Sequence, residues 1–474
     1  MKLFNDDQRG CAEFVKREDG AGTVFSLLLF VSLVALGGIA VDVTNVTMAR
    51  TELQVTADAV AHSALLSRER MSEPDAKAVA LALAEQNMTA AEAGVVIREE
   101  EIVFGDWDSA SLTFTPQVDP DERPTAVQVV ARQDTTNANP LATFMLRIVG
   151  FDQWDVSVVS VFATYEPGCL REGFVAESEV DIQSNNIYRN GFCIHSNDVV
   201  SMNNNNFFEA GTIVSMPDST RFEMPPAGEE SNEGLYQALR YGEMQIRLIN
   251  ALREVPSTPF GTGSDAMWDF IQLATRNGQL SYVTDVPRQI TIVNGQPARS
   301  GASSNTVEAG RDLLDRDGLP TLRQNAVNYV SCSNASTQLS IGQVLSNVVI
   351  ITNCQIQFGS AGGVENGLIA TLNTGASSIG GASETRIGAI DNCAAGGGAQ
   401  LVSLGGMNFA AGVSIHGGQL IALDEISFAA NGAGLRGTSI ISGDTVSGTS
   451  NMQMGLCGSG MEGNLSLDYF RMVQ

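Results

Sequence analysis

AGTVFSLLLFVSLVALGGIAV, residues 21–41, carries no charged side chain, and DVTNVTMARTELQVTADAVAHSALLS, residues 42–67, continues it without a Gly or a Pro. At about 1.5 Å per residue the first stretch makes a helix of about 30 Å, the thickness of a bilayer's hydrocarbon core. A cleaved signal peptide has a shorter apolar core, of about 7–15 residues, closed by a small-residue cleavage box. Here the run is longer and ends at Asp42 inside a continuing helical pattern, and it is too apolar for an ordinary core helix. A retained single-pass anchor is expected, with a transmembrane helix over residues 21–43.

The flanks give this helix a direction. Lys2, Arg9, Lys16 and Arg17 precede it, and Arg50 alone follows within twenty or so residues. Cations hold a flank in the cytoplasm and acids count for little. Residues 1–20 are therefore predicted to be a cytoplasmic tail, with the rest of the chain outside. Cysteine placement agrees: Cys11 stands before the anchor, and Cys169, Cys193, Cys332, Cys354, Cys393 and Cys457 stand beyond it. An even set in an oxidising compartment predicts up to three disulfides. Proximity in sequence favours Cys169 with Cys193 and Cys332 with Cys354, leaving Cys393 and Cys457, although six cysteines allow about 15 connectivities. There is no CxxC pair and His62, His195 and His416 are the only histidines, so zinc is not expected.

Net charge is −26, from 27 Lys and Arg against 53 Asp and Glu. Nearly all the excess lies beyond the anchor, which disfavours nucleic acid and anionic lipid headgroups as partners of that part and favours solubility. Ser72 with Pro74 in the next turn marks a helix start, and residues 75–93 read as a second, Ala-rich helix closed by Gly94. Strand patterns follow at 95–104, 111–115, 125–132 and 156–164, with a short helix at 141–149. The spacing predicts a small α+β module over residues 44–167. Within it Val46, Leu53 and Val60, with Ala57 and Ala64, form a seam that suits either packing on that sheet or pairing with another helix.

Several blocks in this region resemble the TadG-like proteins of the Tad (Flp) pilus-assembly family. They are GGIAVDV (residues 37–43), TELQVTADAVAHSAL (51–65), FGDWD (104–108), TAVQVVA (125–131), NPLATFMLRIVG (139–150) and VSVVSVFATYEP (156–167). The resemblance covers about residues 10–167. It implies a single-pass protein of the bacterial inner membrane with a periplasmic C-terminal part, serving pilus assembly or secretion. Pilin-like relatives are cut after a Gly that has Glu five residues on; here Gly20 is followed at that offset by Phe25, so processing is not expected. The von Willebrand A-type domain of some members needs DxSxS, which this chain lacks.

Beyond Pro167 the composition turns to Gly, Asn and Ser. VDIQSNNIYRNGFCIHSN (180–197) aligns with VSMNNNNFFEAGTIVSMP (200–217) at a shift of twenty. Val180 matches Val200, Ile182 Met202, Asn185-Asn186 Asn205-Asn206, Ile187 Phe207, Gly191 Gly211, and Ile194 Val214. Such a period suits one turn of a parallel β-helix, with apolar residues stacked inward, Asn laddered at the turns and Gly at the bends. Residues 168–216 and 333–474 are predicted to form one mainly β domain, a β-helix-like solenoid, with a many-stranded β-sandwich as the alternative. Residues 217–332 read as a helical insertion, with helices at 235–254 and 265–276 and a strand at 289–293.

No HExxH, GxSxG or phosphate loop ending in GK[ST] is present. Asp315, Asp317 and Gly318 form a fragment of a calcium loop without its later ligands. Asp106 and Asp108 suit caps of a β-turn better than metal ligands, and His195 and His416 suit structural places. Asp181, Glu209, Asp424 and Glu425 do not recur in register, as the paired carboxylates of a sugar-cleaving site would. The expectation is a non-enzymatic component without catalytic residues, metal or cofactor. Its partners would be pilin or pilus-assembly machinery, the membrane through one span, and a further copy of itself through the juxtamembrane helix. The alternative is an envelope-tethered adhesin, or a carbohydrate-binding or carbohydrate-acting protein.

Overall fold

The structure, a computed structural model, describes residues 21–117, 123–226, 228–275, 280–292, 306–308, 322–334, 337–392, 394–429, 434–457 and 460–474. These divide into two compact units, residues 21–165 with 470–474, and residues 166–469. The C-terminal unit is thus inserted, in chain order, between two strands of the N-terminal one.

The N-terminal unit is built on helix α1, Ala21–Ser67, 47 residues without a break. Helix α2, Glu73–Asn87, starts as the sequence predicts: the Ser72 hydroxyl accepts from Asp75 N, and Pro stands in the first turn. It stops earlier than expected, and a separate turn, Ala90–Ala93, runs to Gly94 at φ 69°. The sheet contains β1 (Ile102–Asp108), β2 (Thr113–Pro116), β3 (Ala126–Gln133) and β4 (Val156–Tyr165), in the order β2-β1-β3-β4 followed by the last strand of the chain, Tyr469–Met472. The neighbours β1–β2, β1–β3 and β3–β4 are antiparallel. β1 begins later than its apolar pattern because Glu99–Glu101 form a 3-10 turn, where Glu101 accepts from Arg98 N at 2.8 Å and from Arg132 Nε at 2.8 Å. Leu53, Ala57, Val60, Ala61 and Ala64 of α1 are fully buried against Ala76 and Ala80 of α2 and Val127, Val129 and Val158 of the sheet. The seam is therefore occupied by the unit's own sheet, and alanines on both helices allow their close approach.

The C-terminal unit is mainly β, with parallel sheets. Its strands pair as the repeat predicts: Val180↔Val200, Ile182↔Met202, Ile187↔Phe207 and Ile194↔Val214. Asn206 Oδ1 accepts from Asn186 N at 2.9 Å, and Asn232 Oδ1 accepts from Asn206 N at 2.8 Å, which extends the ladder by one more position. Asn185 and Asn205 adopt φ 65° and 66°, and Gly191 and Gly211 85° and 97°, so the turn residues repeat in conformation as well as in type.

From Gly173–Ala176 the 17-stranded sheet runs one way through Cys193–Ser196 and Ile213–Met216 to Leu239–Tyr241. The other way it runs through Gly434–Ser442, Ser414–Ala422, Ala399–Ser403, Gly367–Thr371, Val349–Thr352 and Val327–Cys332 to Arg288–Ile292. The nine-stranded sheet repeats this order, with Glu179–Ile182 between Val199–Met202 and Thr445–Thr449. Residues 173–188 therefore pair on both sides, and the two segments joined on sequence pattern are hydrogen-bonded neighbours, with Phe174 opposite Ile440 and Tyr188 opposite Met454.

One core lies inside these sheets and includes Phe174, Tyr188, Phe192, Phe358 and Phe409. A second lies on the outer face of the larger sheet, where Val175, Val349, Ile351, Leu368 and Ile421 meet helices α3 (Arg247–Arg253) and α4 (Phe260–Ala274). Strands such as VIIT and AQLVS are buried at every position because both faces are covered. α4 contributes Met267, Phe270, Ile271 and Ala274, an i, i+3, i+4, i+7 stripe. The single helix predicted over 235–254 is instead Leu235–Ala238, the strand Leu239–Tyr241 and α3. Leu239–Tyr241 pairs with Ile213–Met216, a sheet interaction that outweighs local helix propensity.

Candidate functional site

The C-terminal end of the apolar run is the most distinctive site in the N-terminal unit. Leu28, Phe30 and Leu36 of α1 are 61–65% exposed, and one helix among the described residues is long and apolar enough to cross a membrane. A helix apolar on every side and left largely uncovered by the described residues, Gly38 excepted, suits a lipid environment. Where the apolar run ends, Asp42 is 1% exposed, and its carboxylate accepts from the backbone amides of Phe144 at 2.6 Å, Met145 at 3.0 Å and Leu146 at 2.6 Å. These amides open the 3-10 turn Leu146–Val149, where N–H groups lack partners within the turn. Beside it Gly38 leaves room for Met145: a Cβ on Gly38 would come within 2.9 Å of Met145 Cβ. The short helix expected at 141–149 is thus a hairpin neck, Leu141–Ala142 paired with Gln153–Trp154, around the 3-10 turn.

Further along α1 a cavity of about 560 Å³ is lined by Met48, Glu52, Val55, Asn87, Glu92 and Leu141. Met48 and Val55 are 58% and 60% exposed, so this face of α1 remains open while the face that carries Leu53 and Val60 is buried.

In the C-terminal unit Cys169 is bonded to Cys193 and Cys332 to Cys354, with Cα–Cα separations of 4.8 and 5.5 Å. Cys457 is also disulfide-bonded, and Cys393 lies outside the described residues. Beside Cys457, Glu172 is buried and accepts from Cys457 N at 2.9 Å; burial pushes its carboxyl above the usual range.

The candidate chemical groups are not brought together. His195 is buried, with Nδ1 2.7 Å from Ser215 Oγ and Nε2 2.9 Å from Asn197 Oδ1, and burial lowers its pKa. His416 is half-buried and is likewise held low by burial, with Arg436 adding to the effect. Asp108 accepts from Ser111 Oγ and Ala110 N and so caps the turn after β1, whereas Asp106, within β1, accepts from Thr125 N and Oγ1 and ties β1 to the start of β3. The Ser111 hydroxyl keeps the Asp108 carboxyl below its ordinary pKa. Asp181 and Glu179 share the Ser201 hydroxyl, Glu425 receives that of Ser447, and Glu209 accepts from Asn190 N. Among the described residues no cluster of three or more His, Cys, Asp or Glu is placed to hold a metal ion. Asp315, Asp317 and Gly318, and the whole of 1–20 with Cys11, lie outside the described residues.

Sequence reading passed over the Asp42 clamp. Its signal was a lone acid at the end of an apolar run and a second apolar cluster, FMLRIV, about a hundred residues on; nothing local connects the two.

No curated protein and no solved structure matches the chain. A family model described as Flp pilus-assembly TadE/G-like matches residues 20–82, which take in the apolar run of α1 and most of α2. This agrees with the TadG-like resemblance and connects the chain with the Tad pilus system. A second model, described as a domain of unknown function (DUF7867), matches residues 173–458, more than half of the chain and nearly all of the parallel-sheet unit. With that parallel-sheet unit behind a TadE/G-like N-terminal helix, the chain belongs to the DUF7867 family.

Proposed function

We propose that this protein is a non-enzymatic component of a Tad/Flp-type pilus-assembly or secretion system, held in the bacterial inner membrane by residues 21–43. Its N-terminus is cytoplasmic and its C-terminal unit, a parallel β-helix, contacts pilus or envelope partners in the periplasm. The observation that carries this reading is the TadE/G-like match over residues 20–82, which coincides with a helix whose apolar half is largely exposed among the described residues. The four cations ahead of the span favour the stated direction. The in-register parallel ladders and the Asn ladder favour the β-helix.

A carbohydrate-acting or adhesive role has less behind it, because the candidate carboxylates are taken up by neighbouring hydroxyls and amides. With its seam covered, a homo-oligomer through the juxtamembrane helix would use Met48 and Val55.

Photo-crosslinkers placed in cells at Tyr236 and Tyr241, which are 77% and 78% exposed, test the partner reading. Capture of pilin or pilus-assembly proteins is expected; exclusive capture of further copies, or of polysaccharide, would reject it. A membrane-impermeant thiol reagent tests direction, since it should label Cys11 only after the inner membrane is opened.

A further inference from the structure

We infer that the hairpin over residues 143–152 dips into the outer boundary of the bilayer beside the transmembrane helix, as a second, shallow membrane contact of the N-terminal unit. The inference rests on the anchor reading of residues 21–41 and adds an occupant for an apolar surface that reading leaves open.

Phe144, Ile148, Val149 and Phe151 are 61, 76, 78 and 44% exposed, an unusual concentration of large apolar side chains within eight residues. The loop that carries them is not loose. Thr143 N donates to Asp152 O at 3.0 Å, Phe151 N to Leu146 O at 3.1 Å and Gly150 N to Arg147 O at 3.1 Å, while Phe151 packs edge-on against Trp154 at 4.7 Å. Apolar side chains on a rigid turn, left exposed among the described residues, mark an interaction surface.

The attachment of the loop says what surrounds it. Asp42 holds its first amides, and Met145 lies against Gly38, four residues back along α1. Four residues of helix are about 6 Å, so the loop is tied to the last turn of the apolar run, below the level at which polar residues begin. Any bilayer that accommodates residues 21–41 therefore meets this loop at its headgroup–acyl boundary. Amphipathic segments at that boundary insert about 5–10 Å. Arg147, exposed in the same turn, can extend its guanidinium to lipid phosphates while its methylenes stay among the apolar side chains. The occupant is thus the lipid interface.

The test uses the full chain in phosphatidylcholine–phosphatidylglycerol vesicles, with Cys11→Ser and one added thiol carrying an environment-sensitive dye at Ile148→Cys, Val149→Cys or, within the span, Leu28→Cys. Lipids bearing a nitroxide near the headgroup end of the acyl chain should quench the dye at 148 and 149 about twofold or more, as expected of groups at that depth. Aqueous iodide should have little effect. Dyes at 148 and 149 quenched by iodide and not by the lipid nitroxide, with the dye at 28 still shielded from iodide, would overturn this inference and leave the anchor standing. Iodide access at all three sites would reject both.

Discussion

The carboxylate of Asp42 receives the backbone amides of Phe144 and Leu146 at 2.6 Å each, joining the end of the apolar helix to a loop about a hundred residues later. Charge-assisted bonds to backbone N–H groups are short and strong. Asp42→Ala removes the acceptor and should free the loop while α1 stays helical. Hydrogen exchange at residues 144–146 should accelerate about tenfold or more, with Asp42→Asn intermediate. Unchanged protection in the Ala variant would show that Met145 packing on Gly38 suffices to hold the loop.

Asn206 sits in the middle of a buried ladder, its Oδ1 accepting from Asn186 N and its backbone N–H donating to Asn232 Oδ1. Asn206→Ala takes away the acceptor used by Asn186 N and should cost about 1–3 kcal/mol. Its neighbour Asn205, at φ 66°, occupies the left-handed region, so Asn205→Gly should be nearly neutral. Urea unfolding of the two variants distinguishes them, and equal losses would contradict the ladder's role.

Cys332 and Cys354 are separated by 22 residues and join the end of strand Val327–Cys332 to the bend that follows its neighbour Val349–Thr352 in the larger sheet. Replacing both with Ser should lower stability by about 3 kcal/mol, the loop-closure cost for a segment of this size. In the native protein these two, with Cys169, Cys193 and Cys457, should resist alkylation until reduced. Free thiols at those positions in the native protein would contradict the bonds.

Burial makes His195 and Glu172 respond to pH in opposite senses. The folded pKa of His195 lies below its unfolded value of about 6.5, so the unfolded chain binds the extra proton and stability falls as pH drops through that value. His195→Gln should flatten the stability profile between about pH 7 and pH 5. Parallel profiles for variant and parent would exclude this histidine.

Glu172 has a raised folded pKa, so the folded state holds its proton more tightly and stability is lost as pH rises above about 4.3. Glu172→Gln keeps an oxygen for Cys457 N and removes the buried charge. Its melting temperature should exceed the parent's at pH 7, with the gap closing near pH 4; a lower melting temperature at pH 7 would show that the charge itself is needed.

Much of the architecture was legible in local pattern. An unbroken apolar run of bilayer length identifies a candidate span without reference to any partner, and a helix without Gly or Pro continues past it. The shift of twenty residues predicts the observed register because each turn of a parallel stack places equivalent side chains in one column. Neighbouring cysteines indicated two of the disulfides, since adjacent strands in such a stack are close in sequence. Strands buried on both faces, such as residues 349–352, were harder to interpret: a short apolar run does not say what covers its second face.

Tertiary structure alone decided the pairings that span long stretches of chain. Residues 434–455 pair with 173–188 on the side opposite residues 193–208, so the strands that begin the unit lie within its sheets, while α3 and α4 cover the larger sheet. After the inserted unit the chain returns, and Val473 N donates to Val161 O at 2.8 Å, extending the sheet beside α1. Asp42 finds its amides only because the hairpin folds back onto α1. Periodicity encodes which side chains share a face, whereas a bond between residues a hundred or more positions apart depends on where the intervening chain has packed.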